Sequence, residues 1–423
     1  MQRLIAPLAS AEATDADRFG PKAANLARLG RAGLPIPDGF CLDAEAYRIQ
    51  ITALGLEDRA RAVGSPESGT ARRAALAMRL GLLDRPIVAN VLEPLRAAWQ
   101  ALVATTGAST VVRSSALGED RLGSSFAGQF ESYLGLEAED ELVTAVRSCW
   151  AALWSTRVLR YMATRDATPA RTAMAVLVQP LVAARVSGGG LSHSADGDMV
   201  INATWGLGSA IAQGEVVPDR FVLSRDGALR ETVAGRPSHR VGCAHGTRPV
   251  FRPRPGKPCL DPEQAVELGH LLRQVEQVMG FPIEIEWAQD DTGFKLLQAR
   301  PLRLEPARVP DEIWLRHPGL SGHPAGVGWG AGRACVINCE CELARVAAGD
   351  VLVTRVAGPA LSAVLPRVAG LVAELGGSTS HLASLARERG IPMVLGVLDA
   401  THHIPEGAQV AVDGVAGVVR WIR

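Results

Sequence analysis

The sequence predicts a mixed α/β and α+β protein of several domains, and three observations lead there. A chain of 423 residues is long for a single core at roughly 100 to 200 residues per domain. Segments with helical spacing of apolar residues alternate along it with short β-branched runs. Between residues 303 and 319 the stretch RLEPARVPDEIWLRHPG carries three prolines and no periodicity, which reads as a linker between a long domain, 1–302, and a short one, 320–423.

The elements follow in order. GPKAANLARLGRAGLPIPDGF (20–40) puts Ala23, Leu26, Ala27 and Leu29 on one helical face, stops at Gly30 and Gly33, and continues as an extended, proline-bounded run. Residues 70–106 read as helical, with Pro94 near a helix start. STVVRSSA (109–116) is a strand, followed by the loop ALGEDRLGSSFAGQF and the strand ESYLGL. Helices are expected over 138–167, where Trp150 and Trp154 sit one turn apart as core residues. From 172 the pattern changes to strands, MAVLVQPLV, DMVINATWGLG and DRFVLSRD, with glycine-rich turns between them; His193, in SGGGLSHSAD, is expected in such a turn. A helix over 261–279 is closed by Gly280, and the hairpin IEIEWAQDDTGFKLLQARPL follows. The short domain alternates strands and helices and finishes on the hairpin QVAVDGVAGVVRWIR.

Composition narrows the function classes. Lys and Arg number 44 and so do Asp and Glu, so no global field favours a polyanion such as nucleic acid, and small ligands are the expected partners. No run reaches the roughly 18 apolar residues of a spanning helix, and MQRLIAPLASAEA is too broken for a signal peptide, so a cytoplasmic protein is expected. Seven cysteines without framework spacing suit reduced thiols. Cys335, Cys339 and Cys341 match no zinc spacing, and the neighbours His402 and His403 lack companion ligands.

Several features suit phosphate. Only Lys22, Lys257 and Lys295 are lysines. Lys22 follows Gly20 and Pro21 at a helix start, where backbone N–H groups and the dipole favour an anion; a solvated lysine is the plainer alternative. Arg113 closes an apolar strand beside a loop in which Gly123, Ser124, Ser125, Ala127 and Gly128 leave the backbone bare enough to approach phosphate oxygens, although such residues also make ordinary turns. In the hairpin, a three-residue loop Asp291-Thr292-Gly293 pairs Glu286 with Gln298 and Glu284 with Arg300 on one face. Two carboxylates, an amide oxygen and an arginine suit Mg²⁺ and a triphosphate; an exposed face with an incidental salt bridge is the alternative.

LGGSTSHLASLARERGIP (375–392) fits a strand turning through Gly376-Gly377 into a helix that begins near Ser380 and ends at Gly390. His381 then falls in its first turn. There the helix dipole favours the neutral, nucleophilic imidazole, and the hydroxyls of Ser378, Thr379 and Ser380 would cradle a phosphoryl group once attached.

Together these segments resemble the dikinase family of phosphoenolpyruvate synthase, pyruvate phosphate dikinase and rifampicin phosphotransferase. GPKAANLARLGRAGLPIPDGF, VVRSSALGEDRLGSSFAGQFESYLGL, GLGSAIAQGEVVPDRF and IEIEWAQ with LLQARPL are similar to its ATP-grasp nucleotide-binding domain. GDVLVTRVAG and AELGGSTSHLASLARERGIPMVLG are similar to its small swivelling phosphohistidine domain. The resemblance implies that ATP phosphorylates His381, releasing AMP and phosphate, and that the mobile domain carries the group to an acceptor. It implies nucleotide contacts from Lys22, Arg113, Gly128, Ser132, Gln179, Glu286, Gln298 and Arg300, with Mg²⁺ held by Glu284, Glu286 and Gln298. Ser132 stands where some members have threonine, and Glu284 where some have aspartate. Thr379 occupies a position that some dikinases regulate by phosphorylation. The acceptor domain of the family has no counterpart in this sequence, so the small-molecule acceptor is expected either between the two domains or on a separate subunit. A regulatory ATP-binding protein that keeps the fold without the transfer is the alternative.

Overall fold

A computed structural model of the chain describes residues 3–63, 69–119, 126, 129–163, 169–235, 257–303, 314 and 316–422. Of the loop expected near the phosphates, Gly123, Ser124, Ser125, Ala127 and Gly128 lie outside these residues, as does most of the linker. The mixed α/β, multidomain class is as expected. Contacts group the chain into two compact units, Met1–Ala183 with Lys295–Arg300, and Ala184–Phe294 with Pro301–Arg423. That grouping cuts across the expected boundary at 302, because residues 184–294 cluster with the short domain.

The first unit runs β1 (Ile5–Pro7), α1 (Ala16–Arg31), β2 (Phe40–Leu42), α2 (Ala44–Ala53), α3 (Glu57–Arg61), α4 (Gly69–Asp84), α5 (Ala89–Thr106), β3 (Thr110–Ala116), β4 (Ser132–Leu136), α6 (Glu139–Ala152), α7 (Thr156–Ala163) and β5 (Met174–Pro180). Its five strands form an antiparallel sheet in the order β1-β2-β5-β3-β4. Ala23, Leu26, Ala27 and Leu29 of α1 are wholly buried, as their spacing predicted. The helix is interrupted at Gly20, whose φ of 75° an L side chain adopts at a cost, and Pro21 starts the second segment. The stretch 70–106 is two helices, since Arg85-Pro86 cannot continue the first, and Pro94 lies inside α5, past its first turn. Trp150 and Trp154 are core residues, and the Trp154 indole N–H donates to the Tyr47 hydroxyl at 2.9 Å.

The second unit continues with β6 (Val186–Leu191), β7 (Met199–Trp205), α8 (Ser209–Ala212), β8 (Asp219–Leu223), β9 (Leu229–Val233), α9 (Pro262–Met279), β10 (Ile283–Asp290) and β11 (Gly293–Pro301), whose residues Lys295–Arg300 count with the first unit. Strands β10, β6, β7, β8 and β9 pair antiparallel in that order. α9 opens on an Asp261/Gln264 capping box and closes on Gly280 in the left-handed conformation. The glycine run was expected to turn, but Val186–Leu191 is a fully buried central strand. Its glycines serve close packing. A Cβ on Gly189 would stand 2.5 Å from the Cβ of Thr379, so only glycine lets that threonine approach.

The rest of the unit comprises β12 (Gly319–Ser321), β13 (His323–Pro324), β14 (Trp329–Ile337), β15 (Val351–Thr354), β16 (Gly370–Ala373), β17 (Met393–Leu395), β18 (Gln409–Asp413) and β19 (Val418–Ile422), with α10 (His381–Arg389) and α11 (Ala400–His403). They form an eight-stranded sheet, β12-β19-β18-β14-β15-β16-β17-β13, parallel from β14 to β17. Val351, Val353, Val372 and Val394, from the apolar runs that parallel strands need, fill its core together with Val410 and Val412 of the antiparallel β18. Among the described residues no helix is long and apolar enough to cross a membrane.

Candidate functional site

In the first unit, β3 and its neighbours gather three expected residues on one face. Arg113 pairs with Ser132 across β3 and β4, while Gln179 of β5 pairs with Val111, two residues from Arg113. Side chains at cross-strand partners, and at every second residue, share a face. Ser132 is exposed; Gln179 is buried and donates to the Pro37 carbonyl at 3.0 Å. The Arg113 guanidinium donates to Gln298 Oε1 at 2.9 Å and to the Leu297 carbonyl. Arg113 and Gln298 are thus in direct contact, as a common site requires, and Arg300 is buried on the same strand as Gln298.

Lys22 is not the open phosphate ligand its position suggested. Only 7% of it is exposed, and its ammonium sits 2.8 Å from a Glu119 carboxylate oxygen and 2.9 Å from the Ser114 carbonyl. Ser115 Oγ accepts the Ala23 N–H at 3.3 Å, meeting one of the donors the helix start leaves over. Glu119 was missed by sequence reading, because nothing local links it to a lysine far upstream.

In the second unit, α10 begins and ends as the sequence predicts. Ser380 is its N-cap, accepting from Ala383 N at 3.2 Å, and Gly390 its left-handed C-cap. His381 is the first residue of the helix and is half-buried. Just before it, Thr379 Oγ1 is buried with no hydrogen-bond partner, and Ser378 Oγ accepts from Asn202 Nδ2 at 2.9 Å.

These contacts lie on one face of the β10-β6-β7 sheet. Register places Glu286 opposite Gly189 and Gly189 opposite Asn202, so all three share a side, and Gly189 is where Thr379 packs. Glu284, two residues from Glu286, lies on that side too. The face expected to serve a cation and phosphates is therefore the face that the His381 segment covers.

Glu284 is engaged there. Ser384 Oγ is 2.8 Å and 3.0 Å from its two carboxylate oxygens, and Arg387 Nη2 lies 2.9 Å from one of them. Sequence reading missed Asn202, Ser384 and Arg387. Asn202 carried a usable signal, since asparagine is depleted in strand interiors and here interrupts MVINATW. Ser384 and Arg387 point to their role only once the fold brings β10 to them.

Of the expected cation ligands, Glu286 is a half-buried carboxylate, a hard donor of the kind Mg²⁺ takes, whereas the Gln298 amide oxygen already accepts from Arg113. Glu284 can join only by leaving Ser384 and Arg387. Among the described residues no three His, Cys, Asp or Glu side chains group closely enough to hold a metal by themselves.

Comparison with known proteins finds two families along the chain. Residues 16–314 match the family described as "Pyruvate phosphate dikinase, AMP/ATP-binding domain", and residues 346–417 match "PEP-utilising enzyme, mobile domain". The chain is similar to a phosphoenolpyruvate synthase of Pyrococcus furiosus, 30% identical over 96% of this chain and 57% of that protein. A phosphoenolpyruvate synthase of Aeropyrum pernix is 32% identical over 95% of this chain and 56% of its own, and that of Escherichia coli 30% over 96% and 56%. The chain thus spans a little over half the length of the curated relatives it matches.

Proposed function

Since the chain belongs to the pyruvate phosphate dikinase AMP/ATP-binding family and carries a PEP-utilising mobile domain, we propose that it is an ATP-dependent phosphotransferase working through His381. ATP, water and the imidazole give AMP, orthophosphate and phosphohistidine; the phosphoryl group then passes to a small-molecule acceptor bound by this chain or by a separate subunit. We assign the ATP-grasp type to the nucleotide-binding part, with nucleotide contacts from Lys22, Arg113, Gly128, Ser132, Gln179, Glu286, Gln298 and Arg300. Lys22 would reach a phosphate only by exchanging Glu119 for it.

One observation carries the reading: the half-buried His381 starts a Ser380-capped helix whose preceding loop packs on the sheet face that bears Glu286. A phosphoryl group needs in-line donor and acceptor and a positive surround for its oxygens, with little covalent help from the protein. Imidazole supplies the acceptor nitrogen. Arg113 and Arg300 supply fixed positive charge, and Mg²⁺, held by Glu286 and Gln298 with Glu284 when released, would spread the charge of the triphosphate. Asn202 donates to Ser378 and so holds the loop before the histidine. Work in the cytoplasm suits the buried thiols Cys41 and Cys149, each pushed up to about 12 by burial and so inert.

The experiment is incubation with ATP labelled at the β phosphate, for wild type and His381→Ala. Acid-labile label on the wild type alone, with AMP released, is the expected result. Its absence from the wild type sinks the proposal.

A further inference from the structure

We propose that Arg387 is a positioning residue for His381 and that Glu284 is its docking carboxylate, so that Glu284 either anchors the histidine-bearing helix or binds a cation, never both at once. The cation half rests on the reading above; the anchor half does not.

Arg387 is 6% exposed and uses its fork in four directions. Nη1 donates to the Ser378 carbonyl at 2.6 Å and to the Ala325 carbonyl at 3.2 Å, and Nη2 to Glu284 at 2.9 Å and to Ser384 Oγ at 3.1 Å. One side chain thereby ties the loop before His381, the residue that follows β13, the body of α10 and strand β10. Lysine could not do this, because a point charge lacks the planar fork. Glu284 is 4% exposed. The Ser384 hydroxyl reaches Glu284 and, at 3.2 Å, the Ser380 carbonyl, and accepts from Arg387, so it links the carboxylate, the guanidinium and the start of α10.

The two partners come from different parts of the chain. β10 lies within residues 16–314, matched to the nucleotide-binding domain, and α10 within 346–417, matched to the mobile domain. The ion pair between them spans 103 residues of sequence. A buried charge cannot be left alone, so loss of either partner frees the other to leave. A cation that draws Glu284 away therefore weakens the hold on α10, and a docked α10 weakens cation binding by the same factor. Ligation at Glu284 would thus release the histidine helix, and return of the helix would expel the cation.

The test uses the full chain without nucleotide, reading amide hydrogen exchange. In Glu284→Gln, exchange across 378–389 and 186–191 should quicken by about tenfold or more, while α1 and β3 keep their protection. Ser384→Ala, which keeps both charges, should give a smaller change at the same peptides and serves if the first variant fails to fold. Unchanged exchange in the foldable variants, or a loss spread evenly over the second unit, overturns the anchor. The cation half is read by Mg²⁺-dependent binding of ADP: Arg387→Met should tighten it severalfold, and equal or weaker binding overturns the exclusion. An unlabelled His381 with altered exchange would remove the phosphotransfer reading and leave the anchor standing.

Discussion

Two helix starts, one in each unit, were read from the sequence as phosphate sites, and they turn out differently. After Gly20-Pro21 in α1, the first turn is filled from within: Ser115 takes the Ala23 N–H, and Glu119 and the Ser114 carbonyl take the Lys22 ammonium. At α10, the cap is the helix's own Ser380, and His381 stays half-buried. The local grammar is the same, a small residue and then a helix with a functional side chain in its first turn. What differs is the long-range partner. A strand residue occupies the one start, whereas the other packs its preceding loop on a glycine, Gly189, that leaves the space. A helix end is thus a potential anion site whose use is decided by what the fold sets against it.

The largest effect expected from this contrast is on function. His381→Ala should abolish acid-labile labelling while lowering the unfolding free energy by only about 1 kcal/mol, the ordinary size for a point substitution outside the core. Labelling assay and urea melt together check it, and a severe loss of stability would mean that His381, like Lys22, is part of the packing. The converse holds for Lys22. Glu119→Gln removes the carboxylate 2.8 Å from a buried ammonium and should cost about 3–5 kcal/mol in urea unfolding. Adding Lys22→Met to it should recover most of that loss, since no buried charge then remains. If Glu119→Gln is instead neutral, the ammonium finds solvent, and Lys22 is as available as first expected.

The limits of sequence reading follow the same contrast. α9 and α10 were legible to within a residue because their signals are local: Asp261 with Gln264, Ser380, and the glycines at 280 and 390 that accept a left-handed turn. The place of His381 in the first turn of α10 was legible for the same reason. Gly188, Gly189 and Gly190 were not, because glycine in sequence speaks for a turn, and the groups that crowd them, the Asn202 carbonyl and Trp287 at Gly188, Thr379 at Gly189 and Ile285 at Gly190, come from elsewhere in the chain. Glu284 was read as a cation ligand from its place in a hairpin, and its ties to Ser384 and Arg387 depend on a pairing across 103 residues. The hairpin itself formed, although Gly293 joins β11 and leaves only Asp291 and Thr292 between the strands.

A smaller effect separates the caps. Ser380→Ala removes the side-chain acceptor for Ala383 N and should cost about 1 kcal/mol by urea unfolding. Ser115→Ala should cost a similar amount, with Ala23 as the orphan. Only the first should also lower the labelling rate, because only that cap holds a reactive residue. Equal loss of labelling in both variants would bring the two helix starts back into one class.

The smallest effect expected is one of pH, at a histidine that takes no part in this chemistry. His193 is held below its ordinary value, chiefly by desolvation and secondarily by Arg225, against the opposing pull of Glu276 at 3.4 Å. The folded state therefore binds its proton less readily than the unfolded chain. Stability from this group is complete above about pH 6.5, the unfolded value, and declines as pH falls toward the folded value, where the loss levels off. His193→Gln should flatten the dependence between pH 7.5 and pH 5, measured by urea unfolding of both proteins. A variant that steepens it would mean that the Glu276 pair outweighs burial, and His193 would then stabilise the fold in its charged form.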